Sequence, residues 1–157
     1  MHEATEAAGQ GGAEDRRQID ELVRLFFRAF TNKRGARPAV ESLRELFIAE
    51  GVIVKNSGTA PEIYNLGQFI EPRLKLLTEG RLTDFAEEEY DSRTDVVGRV
   101  AQRLCFYRKE GVLDGQRFAA QGGKALQFIK TASGWRITAV AWDDEREGFL
   151  LPASLEL

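Results

Sequence analysis

Residues 134–144 read GWRITAVAWDD, and this stretch decides how the rest of the chain is arranged. Trp135, Ile137, Thr138, Val140 and Trp142 are strand formers. The run follows the turn residues Ala132, Ser133 and Gly134 and stops in the charges Asp143, Asp144, Glu145 and Arg146. Strict alternation puts Trp135, Ile137, Ala139 and Ala141 on one face and Thr138, Val140 and Trp142 on the other. Neither face is mainly polar. A strand apolar on both sides needs cover on both sides, so it is expected at the centre of a sheet, with a core beneath it and a partner above.

Upstream of it lie three long segments, 82–94, 99–109 and 118–130, separated by turn signals at Val97-Gly98 and across 111–115. Together with the last strand they predict an antiparallel meander. Gly122 and Gly123, inside the third segment, predict a bulge or sharp bend. The first half of the chain has helical spacing instead. Asp15 with Gln18 resembles a capping box, and Ile19, Leu22, Val23, Phe26, Phe27 and Phe30 form an apolar stripe that must face a core. Pro38 opens a shorter second helix carrying Val40, Leu43, Leu46 and Phe47, which stops before Gly51. A short β-branched run, 52–55, then enters a turn at Asn56-Ser57-Gly58. Asn65 and Gln68 cap a third helix with Phe69, Ile70, Leu74 and Leu77, kinked by Pro72 and ended by Gly80. Helices followed by four long strands predict an α+β domain with the helices on one face of a bent sheet.

A chain of 157 residues is the length of one domain and buries a substantial core without disulfide or metal. Residues 1–14 are small, polar and glycine-containing and are expected to be disordered; 15–147 form the domain, and 148–157 are an apolar tail expected to cover a pocket mouth or lie on a partner subunit. Its 22 basic and 25 acidic side chains give a net charge of -3, spread in both signs. There is no basic stripe to follow a phosphate backbone, so nucleic acid is not an expected partner. A lone cysteine, Cys105, and an N-terminal stretch with neither a basic nor an apolar signal region predict a reducing, cytoplasmic setting. No apolar run approaches the length of a bilayer span, so no membrane partner is expected.

The order helix, helix, short strand, kinked helix, then four long strands ending in GWRITAVAW resembles the nuclear transport factor 2-like superfamily, and within it the small bacterial SnoaL-like proteins. The resemblance covers residues 15–147. It implies a cone-shaped domain, three N-terminal helices on a strongly curved, mainly antiparallel sheet, and a homodimer formed through the outer sheet face. Catalytic branches of that superfamily fit less well. The only histidine is His2, so histidine-dependent acid–base, nucleophilic and mixed histidine–cysteine metal chemistry are not expected. The ketosteroid isomerase-like branch carries acids where this chain has Lys55, Asn56 and the run 126–130, none of them acidic.

The strongest polar anomaly is FAEEEYD, residues 85–91. Alternation places Glu87, Glu89 and Asp91 together. If they face the cone interior, Glu87 and Glu89 are candidate acids or bases; if they face solvent, they answer Arg103 and Lys109 on the next strand. The hairpin register decides. A tight turn at Val97-Gly98 puts Glu87 and Glu89 beside Gln102, Leu104 and Phe106, whereas a one-residue slip puts them beside Arg103, Cys105 and Tyr107. The chain is read as a binder of a small apolar molecule, with Phe26, Phe30, Tyr64, Phe69, Gln102, Phe106, Val140 and Trp142 as candidate pocket residues and no cofactor or metal implied. An enzyme using Glu87 or Glu89 on a hydrophobic, polyketide-like or steroid-like substrate and a purely structural dimerisation module are the alternatives.

Overall fold

Three helices pack on one face of a curved six-stranded sheet in the computed structural model, which describes the backbone of residues 2–56 and 58–155 and side chains from residue 12 onward. Helix α1 (His2–Arg28) is followed by two short 3-10 turns (Lys33–Gly35 and Val40–Ser42), the single-turn α2 (Leu43–Leu46), and strands β1 (Phe47–Asn56) and β2 (Pro61–Tyr64). Helix α3 (Leu66–Thr78) then leads into β3 (Leu82–Val97), β4 (Val100–Leu113), β5 (Gln116–Thr131) and β6 (Gly134–Asp144). The sheet order is β2-β1-β6-β5-β4-β3, with only β1 and β6 parallel. The strand read first in the sequence therefore lies between β1 and β5. Among the described residues, no helix is long and apolar enough to cross a membrane.

The inner stripe of α1, with Phe30 in the turn after it, buries Ile19, Leu22, Val23, Phe26, Phe27 and Phe30 against the sheet, each large side chain contributing about 1.5–3 kcal/mol. Helix α3 begins as the sequence predicts: the Asn65 side chain accepts from Gln68 N–H and the Gln68 side chain accepts from Asn65 N–H. Pro72 lies inside it. Helix α1 starts well before Asp15, so Asp15 is not its cap. The disorder expected over 1–14 falls mostly on residues whose side chains lie outside the described set. Asp15 is instead a buried acceptor whose carboxylate takes the indole N–H of Trp135 at 2.9 Å and the Lys130 ammonium at 2.9 Å. Phe47 belongs to β1 and not to the second helix, its ring packed 6.1 Å from that of Phe26. The four-residue β2, too short to show in the sequence, pairs antiparallel with β1.

Asn32 joins the helical and sheet layers. Its amide N–H groups donate to the carbonyls of Leu77 and Leu82, at 2.8 and 2.7 Å, and its side-chain oxygen accepts from Phe85 N–H at 2.8 Å. Each hydrogen-bonding group of this buried amide that faces the chain is thereby paired.

Three single-residue irregularities decide which side chains point inward. On β6, Gln127 pairs with Ala139 and Phe128 with Ile137, leaving Thr138 as an extra residue. The bulge brings Trp135, Ile137, Val140 and Trp142 to one face and leaves Arg136, Ala139 and Ala141 on the other. Trp135, 1 % exposed, Ile137 and Val140 are buried, while Ala141 is exposed. Strict alternation is thus corrected: one face of β6 carries the large apolar side chains and the other mainly small ones. On β3, Tyr90 is extra between Glu89, opposite Tyr107, and Asp91, opposite Phe106. A second bulge sets Asp84 and Phe85 against Gly111, with Asp84 at positive φ. Gly122 and Gly123 form no bulge, because β5 pairs with β4 without interruption. Gly122 is needed for close approach: a Cβ there would overlap the Tyr107 hydroxyl and the Asp143 carbonyl.

The tail runs across the outer face of its own sheet. Glu145 N–H donates to the Gln121 carbonyl at 2.8 Å, Leu151 N–H to the Glu145 carboxylate at 2.7 Å, and Leu155 N–H to the Asp91 carboxylate at 2.9 Å. Asp91, Phe106 and Gly123 are consecutive partners across β3, β4 and β5, and the Leu151 side chain reaches Gly123. Phe106, on the outer face yet only 4 % exposed, lies on that line.

Candidate functional site

The inner face is graded from apolar to charged. One inner row carries Arg103, Leu126, Val140 and Ile53; the next Cys105, Lys124, Trp142 and Lys55; the next Glu89, Tyr107, Gly122 and Asp144; and then Glu87 and Lys109. Beyond the first row, most positions carry a polar or charged group. Helices α1 and α3 close over this end and leave a cavity of about 200 Å³, with walls from Phe26, Phe30, Phe69, Phe85, Phe118 and Trp142. Phe69 meets both Phe30 and Trp142 edge to face, at centroid distances of 6.1 and 5.8 Å. A larger depression of about 640 Å³ is lined by charged side chains of both signs and shares only Glu87 and Lys109 with the cavity.

Lys124 is the central polar group, 3 % exposed. Its ammonium lies 2.7 Å from Glu87 Oε1, off the line of a well-directed hydrogen bond, and 4.0 and 4.4 Å from the ring centroids of Tyr107 and Trp142. Burial lowers the Lys124 pKa, and the Glu87 charge opposes the shift. Beside it, the Tyr107 hydroxyl donates to Asp144 Oδ1, and the Lys109 ammonium lies 2.7 Å from Asp144 Oδ2. Burial works against the Asp144 carboxylate, but Lys109 and Tyr107 outweigh it and hold its pKa below the ordinary value. Burial, with the Asp144 carboxylate as acceptor, pushes the Tyr107 phenol up. The cavity lining includes four bases, Lys55, Arg73, Lys109 and Lys124, against one acid, Glu87. Among the described residues, no group of three or more metal-ligating side chains could hold a metal ion.

Glu87 and Glu89 both point inward, in the register that pairs them with Lys109 and Tyr107, but they part company there. Glu87, 7 % exposed at its side chain, lines the cavity. Glu89 is held by Arg103, whose Nε donates to Oε2 at 3.0 Å and Nη2 to Oε1, while Arg103 Nη1 reaches Asp20 at 2.6 Å and Thr94 at 3.2 Å. This packed pair stands behind the cavity wall and has no free carboxylate edge to offer a ligand. Cys105 is buried on the same face, and burial raises its thiol pKa, so it packs as a small apolar group.

Of the other candidates, Phe26, Phe30, Phe69 and Trp142 line the cavity. Val140 is buried in the row below it. Tyr64 stands outside, its ring against Phe69 and its hydroxyl donating to Glu62 at 2.6 Å. Gln102 and Phe106 are corrected: the inner face of β4 carries Arg103, Cys105 and Tyr107, so their neighbours Gln102 and Phe106 face outward, and the Tyr90 bulge parts Glu87 and Glu89 from them. The cationic residues are what the sequence reading missed. Lys124 was detectable, because it interrupts an inward period-two run of Phe118, Ala120, Gly122, Leu126 and Phe128, where a charge needs a partner.

No protein-family model matches the sequence, and no curated protein matches it. Solved structures do. A protein from Kribbella flavida is 18 % identical with a TM-score of 0.71, covering 86 % of this chain and 93 % of its own. A nuclear transport factor 2-like superfamily protein from Salmonella enterica serovar Typhimurium is 15 % identical with the same score, covering 86 % and 94 %. An NTF2-like protein with a cystatin-like fold from Novosphingobium aromaticivorans is 20 % identical at 0.66, covering 87 % and 85 %. At these identities the likeness is one of fold, and the fold of this chain is that of the nuclear transport factor 2-like superfamily.

Proposed function

We propose that the chain is a small-molecule-binding protein of SnoaL-like type, working as a homodimer in a reducing, cytoplasmic setting. The observation that carries the reading is the aromatic-walled cavity between α1, α3 and the sheet interior. Its volume sets a limit. An apolar cavity of roughly 150 Å³ accepts benzene, so about 200 Å³ suits a ligand of one ring with a small substituent and is too small for a steroid. The cavity also argues against a purely structural module, whose interior would be filled by side chains. Thermal melting against a panel of one-ring alcohols, amides and acids tests this. A true ligand at about 100 times its Kd adds about 2.7 kcal/mol to native stability. A panel in which no member, charged or neutral, raises the melting temperature removes the reading.

A second reading has one specific support. Glu87 and Lys124 form a carboxylate–ammonium pair facing the cavity, and a buried amine with a lowered pKa gives up its proton more readily than an exposed one. In that case Glu87 is the general acid or base on a bound hydrophobic substrate. Turnover of any compound selected by the melting panel, lost in Glu87→Gln, supports it; turnover unchanged in that variant rules it out.

A further inference from the structure

The four bases of the cavity are not equally satisfied. Lys124 is matched by Glu87 and Lys109 by Asp144, each at 2.7 Å. Lys55 and Arg73 have no carboxylate within ion-pair distance among the described residues; Arg73 lies over the Phe69 ring at 5.1 Å. Glu62, the residue opposite Lys55 on β2, accepts the Tyr64 hydroxyl. Two half-buried cations that share one small cavity are an arrangement that folding alone does not favour. Burial lowers the pKa of both, and the Arg73 charge lowers that of Lys55 further, against the weaker opposing fields of Glu62 on both, Asp144 on Lys55 and Glu87 on Arg73. A bound anion relieves both effects at once.

We infer that the ligand is a small carboxylic acid in its anionic form, about one aromatic ring in size, with its carboxylate between Lys55 and Arg73 and its ring against Phe30, Phe69 and Trp142. This rests on the cavity-binding reading above and adds the chemical class of the ligand. A carboxylate suits the site because its two coplanar oxygens match the fork of a guanidinium, with the Lys55 ammonium as a second donor. A neutral ligand of the same shape leaves two cations without a direct ion pair, and a cationic one adds a third.

Isothermal titration of the full chain with benzoate and with benzamide, its neutral isostere, tests the inference. Benzoate binds at least about tenfold tighter than benzamide, the scale of a charge-assisted hydrogen bond. Arg73→Gln and Lys55→Gln each bring the two ligands towards parity, and their unchanged affinity for benzamide reports that the cavity is intact. Arg73→Lys keeps part of the preference. Equal binding of the two ligands by the wild type overturns the inference and leaves the cavity reading standing. No binding of either overturns both, and a full benzoate preference in both glutamine variants overturns the assignment of Lys55 and Arg73. The wild-type ratio alone decides should the variants fail to fold.

Discussion

Asp15 shows how one side chain can serve two elements. The sequence marks it as a helix cap, because nothing local says that a residue in that position meets a strand more than a hundred residues away. In the structure its carboxylate accepts from the buried Trp135 indole and from Lys130, and those two hydrogen bonds, the indole first, hold its pKa below 3.8. A depressed acid stabilises the fold above its unfolded value and loses that contribution as the pH falls through the folded one. Asp15→Asn keeps an acceptor for the indole and removes the charge. It should be less stable than wild type at neutral pH by an amount that disappears below the ordinary carboxylate range; urea unfolding at the two pH values measures the gap. Asp15→Ala should lose about 1–3 kcal/mol at neutral pH, because the indole N–H is left buried without a partner. A gap between wild type and Asp15→Asn that persists undiminished in acid would show that charge has no part in it. Lys124 was legible for the opposite reason: a single charge in an apolar alternation is a local signal. Lys55 and Arg73 gave none, since Lys55 stands where an apolar run meets the turn residues Asn56-Ser57-Gly58 and Arg73 is one of the charges, with Glu71 and Lys75, that alternate along a helix.

At the level of elements, the sequence showed what local chemistry determines. The Asn65 cap, the stripe of α1, the turns at Gly98 and Gly115 and the hard ends of β6 were all readable, because each depends on residues close together in the chain. Bulges were not readable, since an extra residue is defined by its partner strand. Thr138 brought Trp142 to the face of Trp135, and Tyr90 parted Glu87 and Glu89 from Gln102 and Phe106. The tail was legible as apolar but not in its destination. It passes beside Phe106 on the outer face, where Leu151 and that ring both border Gly123, so deleting residues 148–157 should expose more of the ring. The deletion should cost about 1.5–3 kcal/mol, the worth of one buried phenylalanine, and should raise the binding of an apolar fluorescent dye. An unchanged urea midpoint and unchanged dye binding would mean that the tail does not stay on the sheet.

For the whole molecule, the outer face carries the next proposal. Val54, Ala141, Ala125, Leu104 and Arg93 are successive partners across five strands, a low, largely apolar row, with Leu104 40 % exposed. Small side chains let a second sheet approach closely, and this row is the natural centre of the proposed homodimer. Ala141→Arg puts a charge at its middle while changing monomer stability by no more than about 0.5 kcal/mol. Sedimentation velocity should show a dimer for the wild type and a monomer for the variant; a wild type that sediments as a monomer at its highest soluble concentration removes the pairing. The inside and outside of this molecule depend in turn on Tyr90. Were Tyr90 to take a regular place in the ladder opposite Tyr107, Glu89 would move to Arg108 and Glu87 to Glu110, and both acids would fall on the side now held by Ala86 and Glu88. The electrical polarity of the hollow is therefore written less in which residues the hairpin contains than in which one of them steps out of the ladder.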